Sequence, residues 1–121
     1  MNIKLPFNET DIMCPCGCFT TIINNDLLLM VFAAIRRHTL PLVISSWVRC
    51  PEYNKLKGGV YNSGHLVGEA IDIHTFSKDE RFKLVQTLMY VGFRRIIIYR
   101  RHIHTDLSVI KTSPYLSYKG D

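Results

Sequence analysis

No run in this sequence approaches the roughly 20 consecutive apolar residues that a membrane-spanning helix needs. The most apolar-rich segment, Leu27 to Ile35, is polar at its flank and reads as a core helix. The first residues, Met1 to Pro6, lack the basic start and following apolar run of a secretory signal, so none is expected there. Repeats, low-complexity tracts and linkers are missing too, which favours one domain spanning residues 1–121. Charged residues make up only 21%, too few for a chain kept unfolded by its own charge. The basic residues form no long tract and no nucleic-acid-binding motif is recognisable. Neither nucleic acid nor membrane is therefore expected as a partner, and the protein is expected to be a monomer.

What is present suits a small folded enzyme. Hydrophobic residues reach 47% of 121, enough for one core. A domain of this size buries roughly two thirds of its unfolded surface, so it can fold without metal or disulfide support. A metal site here would more plausibly be catalytic. The net charge of +5 favours polyanionic partners, and the sign alone does not choose among nucleic acid, membrane surface and cell wall. Its densest cluster is Arg94, Arg95, Arg100 and Arg101, read either as a solvated strand end or as a substrate-facing patch. Of four cysteines, Cys14, Cys16 and Cys18 stand close together and Cys50 far off. They could be reduced thiols in a Pro/Gly turn, or one could bridge to Cys50 in an oxidising compartment. A structural zinc is the third option, although C-x-C-x-C is not the usual C-x-x-C spacing. A structural role is favoured over a catalytic one.

Residues 1–24 look irregular, broken by Pro6, Pro15 and Gly17. A helix capped by Asn25 or Asp26 should run to about His38, which should interact with its C-terminal end. A strand is expected over Leu42–Val48, then a loop over 49–64 rich in turn formers. A second strand spans Glu69–His74. Ser77 and Glu80 form a capping box for a helix to Val91, with Phe82, Val85, Leu88 and Met89 on its buried face and Gly92 ending it. Arg94–Tyr99 and His102–Val109 form an antiparallel hairpin, and the tail from Lys111 is expected to be partly ordered at best. The order implies an α+β fold, with helices packed on one face of a mostly antiparallel sheet.

The chemistry gathers at His65, Asp72, His102, His104 and Asp106. Asp72 sits between Ile71 and Ile73 in an apolar strand, where a carboxylate is costly unless paired or bound to a cation. His102, His104 and Asp106 alternate along one strand and share a face, neighbours lying ~7 Å apart. They can serve one small site, one as ligand and the next for proton transfer or support. Zinc accepts imidazole and carboxylate, and a hydrolytic zinc keeps three protein ligands and an open position. Glu69 should face away from Asp72 toward the surface, and His74 reads as a satisfied strand-end histidine.

The stretch from Ser63 to Asp72 resembles the S-x-H-x-x-G-x-A-x-D motif of the zinc D-alanyl-D-alanine carboxypeptidase family, which includes phage endolysins. His102-Ile103-His104 resembles the H-x-H that completes that site, and the hedgehog amino-terminal domain shares pattern and fold. Ser45 to Pro51, Asn54, Gly58-Gly59 and Cys16-Gly17 are similar to a small phage-encoded branch, so the likeness covers about residues 7 to 108. The resemblance implies one catalytic zinc ion held by His65, Asp72 and His104, with Arg49 and Ser63 assigned to substrate binding. An Arg fork suits a carboxylate, and Ser63 would also support the site by hydrogen bonding.

One position departs from the pattern. Many relatives carry an acidic general base three residues before the last ligand, where this chain has Arg101, and the hedgehog counterpart six residues before is Ile98. His102 is the best remaining catalytic residue, with Asp106 either sharing its task or orienting His104. The resemblance thus implies a zinc peptidase acting on peptidoglycan stem peptides or cross-links. Such a protein would be made in a host cytoplasm and reach the wall after release, or be virion-associated. The missing acid supports a second reading, an inactive zinc-binding module that contacts the wall or a protein partner. A basic nucleic-acid binder is a third, weaker reading, with salt-dependent binding as its mark. The bond cut, the identity of the base and the cysteine chemistry are left open by the sequence.

Overall fold

Five strands form one sheet in the order β1-β2-β4-β3-β5: β1 (Val43–Ser46), β2 (Ala70–His74), β3 (Arg95–Ile98), β4 (His102–Asp106) and β5 (Tyr115–Tyr118). The structure is a computed structural model, and it describes residues 9–18, 22–38, 41–108, 111 and 114–119. All pairings are antiparallel except β3 with β5. The helices are α1 (Glu9–Ile12), α2 (Asn25–Arg37), α3 (Pro51–Leu56) and α4 (Lys78–Val91), with a 3-10 turn at Gly64–Val67. No helix among the described residues is long and apolar enough to cross a membrane. The architecture is α+β, with a mostly antiparallel sheet.

Strand alternation separates the two faces of this sheet. Ile71 and Ile73 of β2, Ile103 of β4 and Ile96 of β3 point into a core shared with Leu27, Val31 and Ala34 of α2 and Leu84 and Leu88 of α4. Fully burying each of the isoleucine, leucine and valine side chains is worth about 1.5–3 kcal/mol. The intervening residues Asp72, His104 and Asp106 therefore lie on the opposite face. Register puts Asp72 beside His104, His74 beside His102, and Ala70 beside Asp106.

Helix ends follow the local chemistry, with shifts. Asn24, one residue before the expected cap, accepts from the Leu27 amide and opens α2. Ser77 accepts from the Glu80 amide, and the Glu80 carboxylate reaches back to the Phe76 amide, completing the box one residue early. Gly92, at φ +116°, ends α4 in the left-handed region.

Several expectations are corrected. The buried face of α4 is Leu84, Thr87 and Leu88, while Phe82 and Met89 are exposed, because α2 and the sheet approach the other flank of the helix. His38 does cap the end of α2, its amide bonding the Ala34 carbonyl at 2.8 Å, but its imidazole turns away to the Thr87 hydroxyl at 3.0 Å. The first strand is shorter than Leu42–Val48, running Val43–Ser46 with a register slip between Ile44 and Ser46, although Trp47 and Val48 remain buried. The second hairpin strand ends at Asp106, and Val109 lies outside the described residues. The loop over 49–64 contains α3, opened by Pro51 with Cys50 as its cap. The tail supplies β5, whose pairing with β3 is non-local and leaves no local signal. Residues 1–24 hold the one-turn α1, tied down by the Val48 amide on the Ile12 carbonyl. The expected breaker Pro6 lies outside the described residues.

Candidate metal centre

The first arm of the site is a turn whose small residues are forced by packing. Ser63 caps the 3-10 turn by accepting from the His65 amide at 3.2 Å. Gly68 closes the turn at φ +68°, and a side chain there would meet the Ile22 carbonyl and Ile23 Cα at 2.3 and 2.4 Å. Only glycine fits both the dihedral and the space. A Cβ on Gly64 would press on Ala70 at 3.0 Å, so Gly64 and Ala70 let the turn lie against β2. His65 is thereby buried, its amide held by Ser63 and its carbonyl accepting from the Arg49 backbone amide at 2.9 Å.

His65, Asp72 and His104 each offer a ligand atom, all within 4.8 Å of one another. The proton inventory explains what they are suited to hold. His65 Nδ1 lies 2.6 Å from the Trp47 carbonyl, which can only accept, so Nδ1 carries the hydrogen. Its Nε2 then turns a lone pair toward Asp72 Oδ2, 3.4 Å away. His104 stands between two carboxylates, Nδ1 at 2.9 Å from Asp72 Oδ1 and Nε2 at 2.7 Å from Asp106 Oδ2. A neutral imidazole has one N–H for those two acceptors. With the hydrogen given to Asp106, His104 Nδ1 also faces Asp72 with a lone pair. Three electron-pair donors can thus converge on one point, an arrangement that a cation there stabilises. Two imidazole nitrogens and a carboxylate oxygen fit zinc.

The ionisation of the site follows from the same contacts. With protons in place of a cation, burial pushes the Asp72 carboxyl up, but hydrogen bonds and charge from His104 and His65 hold it well below the usual carboxylate range. Burial pushes His104 down, and Asp106 and Asp72 outweigh it, leaving the imidazole above its ordinary value. Asp106 is lowered despite burial, chiefly through His104.

The other expected residues are placed as follows. Arg49 reaches the site: its NH2 lies 3.6 Å from Asp72 Oδ2, its Nε donates to Ser46 Oγ at 3.1 Å and its NH1 to Asn54 Oδ1 at 3.4 Å. Asn54 is fixed by its own bond to the Val60 carbonyl, and any Cβ on Gly59 would collide with it at 2.1 Å. Ser63 is buried and contacts the His65 amide. Asp106 is buried, with Oδ2 shared by His104 and Arg95 and Oδ1 accepting from the Ser108 amide. His102 is half-buried, stacked on Tyr99 at 4.4 Å. Burial lowers its pKa, against the pull of Asp72. His74 packs edge-on against Phe76, and Glu69 is half-buried with its carbonyl holding the Leu107 amide. Arg94, Arg100 and Arg101 are exposed, whereas Arg95 turns in to Asp106.

Three supports escaped the sequence reading: the Trp47 carbonyl, Asn54 as a holder of Arg49, and Arg95. Only Arg95 had a usable signal, since the hairpin register sets it opposite Asp106. A backbone carbonyl carries none.

A buried carboxylate and two imidazoles meeting on the open face of an α+β sheet define a one-metal site of the hydrolytic zinc kind. The model of the Peptidase M15 family matches residues 6–108, and the chain belongs to that family. It is a zinc metallopeptidase. The crystal structure of the L-Ala D-Glu endopeptidase ChiX of Serratia marcescens is similar at a TM-score of 0.56 and 16% identity, covering 72% of this chain and 81% of that one. At that identity the likeness bears on the fold. No curated protein matches the sequence.

Proposed function

We propose that this protein hydrolyses a peptide bond in peptidoglycan stem peptides or their cross-links, using one zinc ion held by His65 Nε2, Asp72 and His104 Nδ1. The reading rests above all on the convergence of those three donors, none of which has a proton left for the others. When bound, the ion supplies a polarised scissile carbonyl and a water of lowered pKa. The chain's own residues do the rest. The Trp47 carbonyl and Asp106 hold the two imidazoles in the tautomers that present a lone pair. Ser63 positions His65 through its amide. Arg49, braced by Ser46 and Asn54, offers its guanidinium to a carboxylate or carbonyl of the peptide. His102, kept neutral near pH 7 by burial, accepts a proton from the attacking water.

The net charge of +5 suits an anionic wall. The fold shared with an L-Ala D-Glu endopeptidase makes that linkage the first to try. We further propose one catalytic domain working as a monomer in phage lysis or wall penetration, reaching the wall after release or as part of a virion. The zinc-loaded protein should release peptide fragments from purified walls, and chelation should stop it. Cleavage that survives chelation overturns the mechanism.

Exposed Arg101, in the place where an acid is usual, favours a second reading: a zinc-binding module without turnover. Absence of cleavage on every wall substrate, with zinc bound, would establish that reading instead.

A further inference from the structure

A second convergence of ligand atoms lies apart from the three-residue centre. Cys14, Cys16, Cys18 and Cys50 form no disulfide, and their sulfurs lie within 4.8 Å of one another. Cys14 Sγ and Cys16 Sγ are 3.4 Å apart, and Cys16 Sγ and Cys50 Sγ 3.6 Å. Four sulfurs bonded to a tetrahedral zinc at ~2.3 Å sit ~3.8 Å from each other along the edges. The cluster is thus already near the size of such a cage.

Its surroundings fit the same purpose. Pro15 and Gly17, the latter at φ +89°, fold C-x-C-x-C into a tight turn that gathers three sulfurs despite the unusual spacing. The Cys50 amide donates to Cys14 Sγ at 3.3 Å and the Tyr53 amide to Cys50 Sγ at 3.4 Å. Such N–H···S contacts are of the kind that orient sulfur ligands around a metal. Apolar packing does not account for the group, because Cys14 and Cys50 are buried while Cys16 and Cys18 are exposed.

We propose that these four cysteines bind a second zinc ion in a closed, structural site. Four protein sulfurs leave no position for water, so the ion takes no part in hydrolysis. Soft thiolates in a tetrahedral set select zinc or iron among common cations, and zinc, unlike an iron–sulfur cluster, needs no inorganic sulfide. The site fastens the N-terminal arm to the segment that carries Arg49. Cys50 follows Arg49 directly, and the Val48 amide already bonds the Ile12 carbonyl. The cage thereby braces the guanidinium beside Asp72.

Metal analysis of the protein purified under reducing conditions should find about two zinc ions per chain. His104→Ala should keep one, and the double variant Cys16→Ser/Cys18→Ser should keep the other. Cobalt(II) in place of zinc in His104→Ala should give intense sulfur-to-cobalt charge-transfer absorption. That spectrum decides the matter even if the serine variant fails to fold. A single zinc that disappears in His104→Ala overturns the proposal. So does iron in place of zinc, or an intact mass short of the hydrogens that disulfides would remove. Two bound zinc ions without wall cleavage would leave this site standing and sink only the proposed peptidase substrate.

Discussion

Replacing Asp106 with Asn separates two roles that one carboxylate could play. The side chain is 1% exposed and bonds His104 Nε2 at 2.7 Å, the Ser108 amide at 3.0 Å, and Arg95. If it orients His104, the asparagine oxygen still accepts from Nε2 but without charge, and the imidazole becomes a weaker ligand. Loss of such a supporting partner costs about 10–100-fold in metal affinity, or ~1.4–2.7 kcal/mol. Arg95 loses its counter-charge as well. Removing one partner of a buried pair costs about 3–5 kcal/mol. Because the Arg95 side chain is 14% exposed and lies over the Tyr115 ring, the cost should fall at or below the lower end of that range. The assay is a competitive zinc titration against a chelator, followed by turnover at saturating zinc. The orienting role predicts weaker zinc binding with kcat restored to within about tenfold once the metal is saturating. A proton-transfer role predicts unchanged affinity with kcat down by about 10²–10⁴. The latter pattern would refute the geometric reasoning.

Three further outcomes are expected. His102→Ala should keep its zinc and lose about 10²–10⁴ in kcat, and metal loss on substitution would make His102 a ligand instead. Arg49→Lys should raise KM and lower kcat/KM by roughly tenfold with zinc retained, since an ammonium cannot address Ser46, Asn54 and the substrate at once; an unchanged KM removes Arg49 from binding. Burial lowers the His38 pKa, so the unfolded chain binds the extra proton first. Its stabilising contribution is whole above the unfolded value near 6.5 and is lost as pH falls through the lower folded one. His38→Gln should therefore show a flatter fall in denaturant midpoint between neutral and mildly acid pH than the parent, and parallel curves would count against it.

Strong local chemistry made much of the architecture legible in the chain. The alternating Ile71 and Ile73 of β2, the isoleucine run of β3, the alternating polar residues of β4, the Ser77 cap and Gly92 determine strands and helix wherever neighbours in sequence are also neighbours in space. An aspartate between two isoleucines announces a cation or partner because burial otherwise penalises it. Tertiary structure decided what depends on distant segments. Which side of α4 is buried depends on where α2 lies, and β5 exists only because β3 offers it an edge. The Trp47 carbonyl that sets the tautomer of His65 and the meeting of Cys50 with three cysteines 32 to 36 residues away are likewise products of folding. Residue types and spacing nominate ligands, but lone-pair direction is a property of three-dimensional contacts.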